Sequence, residues 1–236
     1  MKKKIVVTGG TGRFGNCLKN IKTQHNVLFP KKKTFNILNS NNMRKYLKKT
    51  KADIVIHLAG LSRPMSVHEK DIKKSIQLNI IGTANVTKVC SESDIKLIYF
   101  STNYVYPGTK GNYSENDNLL PVNNYAWSKL GGECSVQLYK NSLILRASMT
   151  EKPFIHKQAF ANVKTSFMYQ EDVAKYLFKL INKKGVINVG GKPQFIYDFA
   201  KKDNLKVKKI FLKKNNKKGM PFDSSLNVKK FYKMIK

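Results

Sequence analysis

The sequence predicts an α/β fold: a doubly wound parallel sheet with a small C-terminal lobe. Two observations carry this. Near the start, the apolar run Ile5-Val6-Val7 leads into the glycine-rich turn Gly9-Gly10-Thr11-Gly12-Arg13-Phe14-Gly15, and a helical stretch follows at 16–21. A glycine motif becomes informative in that strand, turn and helix context. Further along, apolar runs at 26–29, 52–60, 97–102 and 143–146 alternate with helical stretches such as 42–49 and 69–91. Short continuous apolar runs fit strands buried on both faces and joined by helical crossovers.

A chain of 236 residues suits one α/β domain, or a nucleotide-binding unit at 1–150 with a reduced, interleaved substrate lobe at 151–236. Hydrophobic content of 41% against 25% charged reads as soluble and globular. No apolar run approaches the ~20 residues of a membrane span. The opening Met1-Lys2-Lys3-Lys4 imitates the charged part of a signal peptide. The apolar stretch that follows is far shorter than the about 7–15 residues of a secretory core, so the expectation is a first strand in a cytoplasmic protein. Cys17, Cys90 and Cys134 are scattered and show no metal spacing, which reads as reduced, mostly buried thiols and no metal site.

The formal net charge of +31 invites a nucleic-acid reading. Against it, Arg13, Arg44, Arg63 and Arg146 are the only arginines, so 45 − 4 = 41 of the basic residues are Lys. Base and phosphate recognition leans on the planar fork of Arg. The expectation is therefore a solvated lysine surface, the 213–218 stretch included, with no nucleic-acid partner. Its field would steer an anionic ligand.

Each element then has a chemical reading. Gly9 permits the tight turn, Gly12 lets backbone approach a pyrophosphate, and Gly15 allows close helix–strand packing. At the end of the second strand, where an acidic residue would bind a ribose 2′-hydroxyl, stands Pro30-Lys31-Lys32-Lys33. Cations there, with Arg13 in reach, favour the 2′-phosphate of NADP over NAD. His57 reads as a hydrogen-bonded core residue of the third strand. Arg63 sits in the loop at that strand's carboxyl end, where open α/β sheets bind ligands. The stretch 69–91 has helical periodicity, with Ile72, Ile76, Ile80, Val86 and Val89 as inner positions. Asn79 falls mid-helix, against propensity, and is expected to tie helix to strand. The strand at 97–102 ends in the hydroxyls of Ser101 and Thr102. Tyr125 and Lys129, four apart, share a helix face. An ammonium near a phenol favours the phenolate and lowers the tyrosine pKa, which would ready Tyr125 for proton transfer.

Glycine turn, hydroxyl-ended strand and Tyr-x-x-x-Lys, in that order, resemble the extended, nucleotide-sugar branch of the short-chain dehydrogenase/reductases. The stretch Ser101-Thr102-Asn103-Tyr104-Val105-Tyr106, then Tyr113-Ser114-Glu115-Asn116-Asp117, Pro121 and Tyr125-Ala126-Trp127-Ser128-Lys129-Leu130-Gly131-Gly132-Glu133 is most similar to the dTDP-4-dehydrorhamnose reductase family. That resemblance implies a Rossmann-type core and ketone reduction on a nucleotide-linked sugar by NADPH. The implied catalytic residues are Thr102, Tyr125 and Lys129. Cofactor contacts would come from Gly9, Gly12, Arg13, Phe14, Gly15, Asn36, Ile37, Leu58, Ala59, Gly60, Tyr125 and Lys129. Substrate contacts would come from Arg63, Asn103 and Tyr104. Asn103 and Ala126 replace a family Asp and Gly without removing a reacting group. Met220 stands where relatives carry an Arg that can bind substrate. Two rivals stay open: an NAD(P)-dependent nucleotide-sugar epimerase, to which His156 could contribute, and a non-catalytic NADP-binding regulatory subunit. The oligomer is also open, a homodimer among the options.

Overall fold

The structure is a computed structural model that describes residues 1–213 and 219–236. From Lys214 to Lys218, the lysine-rich loop expected above lies outside the described residues.

The first half runs β1 (Lys4–Thr8), α1 (Arg13–Lys19), β2 (Asn26–Leu28), α2 (Ser40–Thr50) and β3 (Ile54–His57). After β3 come two single turns, α3 (Val67–Lys70) and α4 (Ile72–Ser75), a π-helical segment at Ile76–Ile81, then α5 (Gly82–Glu92) and β4 (Lys96–Thr102). A 3-10 turn at Asn103–Val105 opens the loop to α6 (Asn124–Gln137), which is followed by β5 (Ser142–Ala147). Short strands β6 (Met149–Thr150), β7 (Gln158–Phe160), β8 (Lys164–Thr165) and β9 (Met168–Tyr169) lead to α7 (Gln170–Leu180) and β10 (Gly185–Val189). The chain ends with β11 (Gln194–Phe195), α8 (Ile196–Ala200), β12 (Lys208–Ile210) and α9 (Lys229–Ile235).

Six parallel strands form the central sheet in the order β10-β5-β4-β3-β1-β2. The expected doubly wound α/β fold is thus present. Period-two alternation divides each strand between two cores. Ile5, Val7, Ile54, Ile56, Ile98 and Phe100 face one layer with residues of α1, α7 and α9. Val6, Val55, Leu97, Tyr99 and Ile144 face the other, with residues of α2, α5 and α6. Each such aliphatic side chain contributes about 1.5–3 kcal/mol by leaving water. A satellite cluster around Phe154, Val163, Ile196 and Phe199 organises the lobe after β6, and Met220 packs against it. The direction of winding reverses at β1, between β2 and β3, so a crevice opens at the carboxyl ends of those strands.

The helical stretch expected at 69–91 is broken. The Asp71 side chain accepts the Lys74 N–H at 2.9 Å and so starts a new helix inside it. Ile72 and Ile76, expected inside, are exposed. The inward positions go instead to Ser75, Asn79, Gly82 and Thr83. Ser75, Asn79 and Thr83 bond other polar groups there, and Gly82 makes room for the Ile37 side chain. Cys134 also departs from expectation, since it is exposed. No helix among the described residues is long and apolar enough to cross a membrane.

Candidate active site

A cavity of about 470 Å³ lies at the switch point. Its floor is the glycine turn. Gly9 has φ +71°, and a Cβ there would sit 2.6 Å from the Ala59 N atom, so only glycine lets β1 and the end of β3 close together. Gly12 precedes α1 with no side-chain cap, and Arg13, Phe14 and Gly15 follow it along the same wall. Leu58, Ala59 and Gly60 form the next wall. They are anchored by the Thr8 hydroxyl oxygen, which accepts the Leu58 and Ala59 N–H groups at 3.1 and 3.0 Å. Those two bonds use both Thr8 lone pairs, so its proton goes to His57 Nδ1 at 2.8 Å, and His57 Nε2–H donates to Thr83 Oγ1 at 3.1 Å. His57 is therefore the hydrogen-bonded core residue expected, and burial holds its pKa down at about 3.

Asn79 is a tie, but to a loop and a second helix rather than to a strand. Its amide bonds both the N–H and the C=O of Leu61, at 2.7 and 2.8 Å, and donates to Ser128 Oγ at 2.8 Å. Ser128 in turn donates to the Tyr125 carbonyl. The loop after β3 is thereby fastened to α6, whose start is capped by Asn123 Oδ1 accepting the Ala126 N–H at 2.9 Å.

Thr102, Tyr125 and Lys129 all line the cavity, where the Thr102 hydroxyl donates to Asn103 Oδ1 at 3.5 Å and accepts the Tyr104 N–H at 3.3 Å. The electrostatics differ from the sequence expectation. Burial raises the Tyr125 pKa, and the Thr102 hydrogen bond and the Arg63 charge offset that only in part. Lys129 is not among the groups acting on it. Burial pushes the Lys129 ammonium down to about 7, partly opposed by Glu133. Its Nζ lies 4.2 Å above the Tyr99 ring, and the Tyr99 hydroxyl donates to the Lys129 carbonyl. Spacing puts the two side chains on one face but does not direct the long lysine arm.

This shift has a measurable consequence. An unfolded Lys129 stays protonated to about pH 10.5, whereas the folded one deprotonates near 7. Between those values the unfolded chain binds more protons, so stability rises with pH across that window. Lys129→Met removes the penalty. Its stability advantage over the parent should be greatest below pH 7 and shrink steadily toward pH 10. Urea melts at pH 6 and 9.5 check this, and an advantage equal at both would mean that Lys129 keeps its charge in the fold.

Other expected site residues scatter. Tyr104 lines the cavity, with burial raising its pKa to about 12. Asn103 also lines it, but its amide donates to Ser224 Oγ at 2.9 Å and the Ser224 carbonyl at 3.2 Å. It fastens the hydroxyl-ended strand to the C-terminal lobe. Asn36 and Ile37 do not line the cavity. Asn36 Oδ1 accepts the Leu38 N–H, while Ile37 is buried against Gly82 in the second core layer. His156 is exposed beside Phe154 and outside the cavity lining.

Arg13 and Arg63 both line the cavity. Each guanidinium bonds Glu151, at 3.0 and 2.9 Å. Glu151 was not visible as a site residue in the sequence. The one available signal is the scarcity of acids, 14 against 45 bases, which leaves any acid many possible partners. Ser101 was also missed. It lines the cavity, and its buried Oγ has no hydrogen-bond partner among the described residues.

Known proteins share this fold. A dTDP-4-dehydrorhamnose reductase from Bacillus anthracis, crystallised in complex with NADP, superposes with a TM-score of 0.86 over 98% of this chain and 92% of that one. At 23% identity that likeness shows the fold. Among curated relatives, methionine adenosyltransferase 2 subunit beta from Pongo abelii is 31% identical over 143 residues, and dTDP-4-dehydrorhamnose reductase from Mycolicibacterium smegmatis is 29% identical over 140. These alignments take in 57% and 58% of the chain, which spans 42% of the length of each relative. A family model described as the RmlD substrate binding domain matches residues 2–186, the span that supplies every cavity wall described above, and the chain belongs to that family.

Proposed function

We propose that the chain reduces a keto group on a nucleotide-linked sugar, with a 4-keto-6-deoxy nucleotide sugar as the substrate class and NADPH as cofactor. The observation that carries this reading is that Thr102, Tyr125 and the glycine turn line one cavity. The glycine cradle fits a dinucleotide. Its floor is bare backbone, and a Cβ at Gly12 would come within 3.2 Å of the Gly9 carbonyl, so a side chain would fill space that phosphates need. The relative named as a dTDP-4-dehydrorhamnose reductase supports the same class.

When bound, the dinucleotide supplies the hydride. Tyr125, held protonated at neutral pH by burial, gives its proton to the carbonyl oxygen. Thr102 fixes that oxygen beside the phenol. Lys129 would hold the nicotinamide ribose, and the charge lowering the Tyr125 pKa is that of Arg63. The cavity lining contains no carboxylate, histidine or cysteine among the described residues. An NAD(P)-dependent epimerase would oxidise and re-reduce the sugar with the same residues and keep its cofactor tightly bound, whereas a reductase releases it, so cofactor retention on gel filtration separates the two.

A second reading is favoured by the relatives named as methionine adenosyltransferase 2 subunit beta: a non-catalytic subunit that binds a dinucleotide. One assay separates the two. NADPH oxidation with a 4-keto-6-deoxy nucleotide sugar should be catalysed by the reductase. Tight NADPH binding without turnover on any keto sugar would replace it with the subunit.

Cofactor choice has its own test. No acidic residue ends β2, and Lys31, Lys32 and Lys33 are exposed there. NADPH should therefore bind about tenfold tighter than NADH, roughly 1.4 kcal/mol. Titration followed by nicotinamide fluorescence reads this, and a preference for NADH of that size would reverse the assignment.

A further inference from the structure

Glu151 is not itself in the cavity lining but pairs with two arginines that are, in a way that neither the proton transfer nor the glycine cradle uses. Its side chain is 13% exposed, and one oxygen, Oε1, accepts from two guanidiniums: Arg13 Nη1 at 3.0 Å and Arg63 Nη1 at 2.9 Å. Oε2 takes a longer bond from Arg63 Nη1 at 3.2 Å and one from the Thr150 hydroxyl at 3.5 Å. The two arginines come from separate walls of the cavity, Arg13 from the first turn of α1 and Arg63 from the loop after β3. One carboxylate leaves the pair of guanidiniums with a net charge of +1. The triad therefore satisfies both arginines geometrically without neutralising them.

We propose that Glu151 is an internal stand-in for a ligand phosphate: it holds Arg13 and Arg63 together until the pyrophosphate of a nucleotide ligand displaces it, and so selects which anions the cavity admits. Displacement favours a group that brings more charge and more acceptor oxygens than the carboxylate it replaces. A pyrophosphate does, because arginine pairs with phosphate through two parallel bonds. A monoanion does not. Glu151 thus lowers affinity for anions in general while discriminating against those with a single charge. This rests on the nucleotide-binding part of the function proposed above and is independent of turnover.

The test is calorimetric binding of inorganic pyrophosphate, NADPH and adenosine to the full chain and to Glu151→Gln and Glu151→Asp, with melting curves to check folding. At about 50 mM salt, Glu151→Gln should bind pyrophosphate and NADPH roughly tenfold tighter and adenosine as the parent does. Part of that gain should be lost at about 0.5 M salt, which screens the half-exposed arginines more than the 13%-exposed carboxylate. Glu151→Asp, which keeps the charge, should stay near the parent. Unchanged or weaker pyrophosphate binding in Glu151→Gln would overturn the proposal, because Glu151 would then be positioning the arginines rather than competing for them. Equal tightening of adenosine would overturn it too. A parent that binds pyrophosphate but not NADPH refutes the cofactor reading, while the pyrophosphate ratio still decides the role of Glu151. A parent and variants that bind neither refute both.

Discussion

Tyr125→Phe should lower turnover by roughly 10²–10⁴ while leaving the fold and NADPH affinity near those of the parent. The substitution removes one hydroxyl, and that hydroxyl is the proposed proton donor, in the cavity that Thr102 also lines. Loss of a positioned general acid costs about 3–5 kcal/mol of barrier. The phenol's raised pKa shapes the pH profile as well. Reduction needs the protonated form, so the limb set by Tyr125 should lie in the alkaline range, and activity governed by it should hold through neutrality. Thr102→Val should slow turnover with little change in cofactor affinity, which separates holding the carbonyl oxygen from binding the dinucleotide. Single-turnover NADPH oxidation with a 4-keto-6-deoxy nucleotide sugar gives the rate. A Tyr125→Phe enzyme within threefold of the parent would place the proton donor elsewhere.

The parts of this molecule legible in the sequence are those decided locally. Val6 and Val55 alternate with Ile5 and Ile54 across a sheet buried on both faces, and such strands read as apolar runs wherever they occur. Gly9 is legible because a positive φ and a 2.6 Å approach leave no other residue at that turn. Thr102, Tyr125 and Lys129 line one cavity, and it is the family resemblance, with a strand end and a four-residue spacing, that points to them. The rest depends on contacts between distant segments. Ile72 and Ile76 fit a helical stripe, but the inward face is claimed by Asn79 and Ser75, which bond to Leu61 and His68. Periodicity cannot show that a polar residue has a partner waiting inside. The direction of the Lys129 arm is set by the Tyr99 ring, thirty positions earlier in the chain. Glu151 reaches arginines 138 and 88 positions away (151 − 13 and 151 − 63), and nothing local marks that pairing.

Arg146→Met should destabilise the fold by about 3–5 kcal/mol, because it strands a carboxylate in the core. Glu133 on α6 is 1% exposed and Arg146 on β5 is 3% exposed by side chain. Arg146 Nη2 and Nε both donate to Glu133 Oε1, at 2.6 and 3.0 Å, while Nη1 donates to the Tyr106 hydroxyl at 2.8 Å and the Glu115 carbonyl at 3.1 Å. The Tyr106 hydroxyl passes its own proton to Asn188 Oδ1, which brings β10 into the network. One guanidinium therefore fastens the helix that carries Tyr125 and Lys129 to the central strands. Removing it leaves Glu133 with no cation, and its Oε2 already lacks a partner among the described residues. For a chain of this size the loss corresponds to a Tm drop of roughly 10 °C. The double variant Glu133→Leu/Arg146→Met should recover much of it, since replacing both charges by apolar groups is often close to neutral in stability. Urea denaturation of the parent, the single variant and the double variant measures the coupling. A single variant within 1 kcal/mol of the parent would mean that water reaches Glu133, and a double variant no better than the single would mean that the Tyr106 and Glu115 bonds, rather than the ion pair, hold α6 in place.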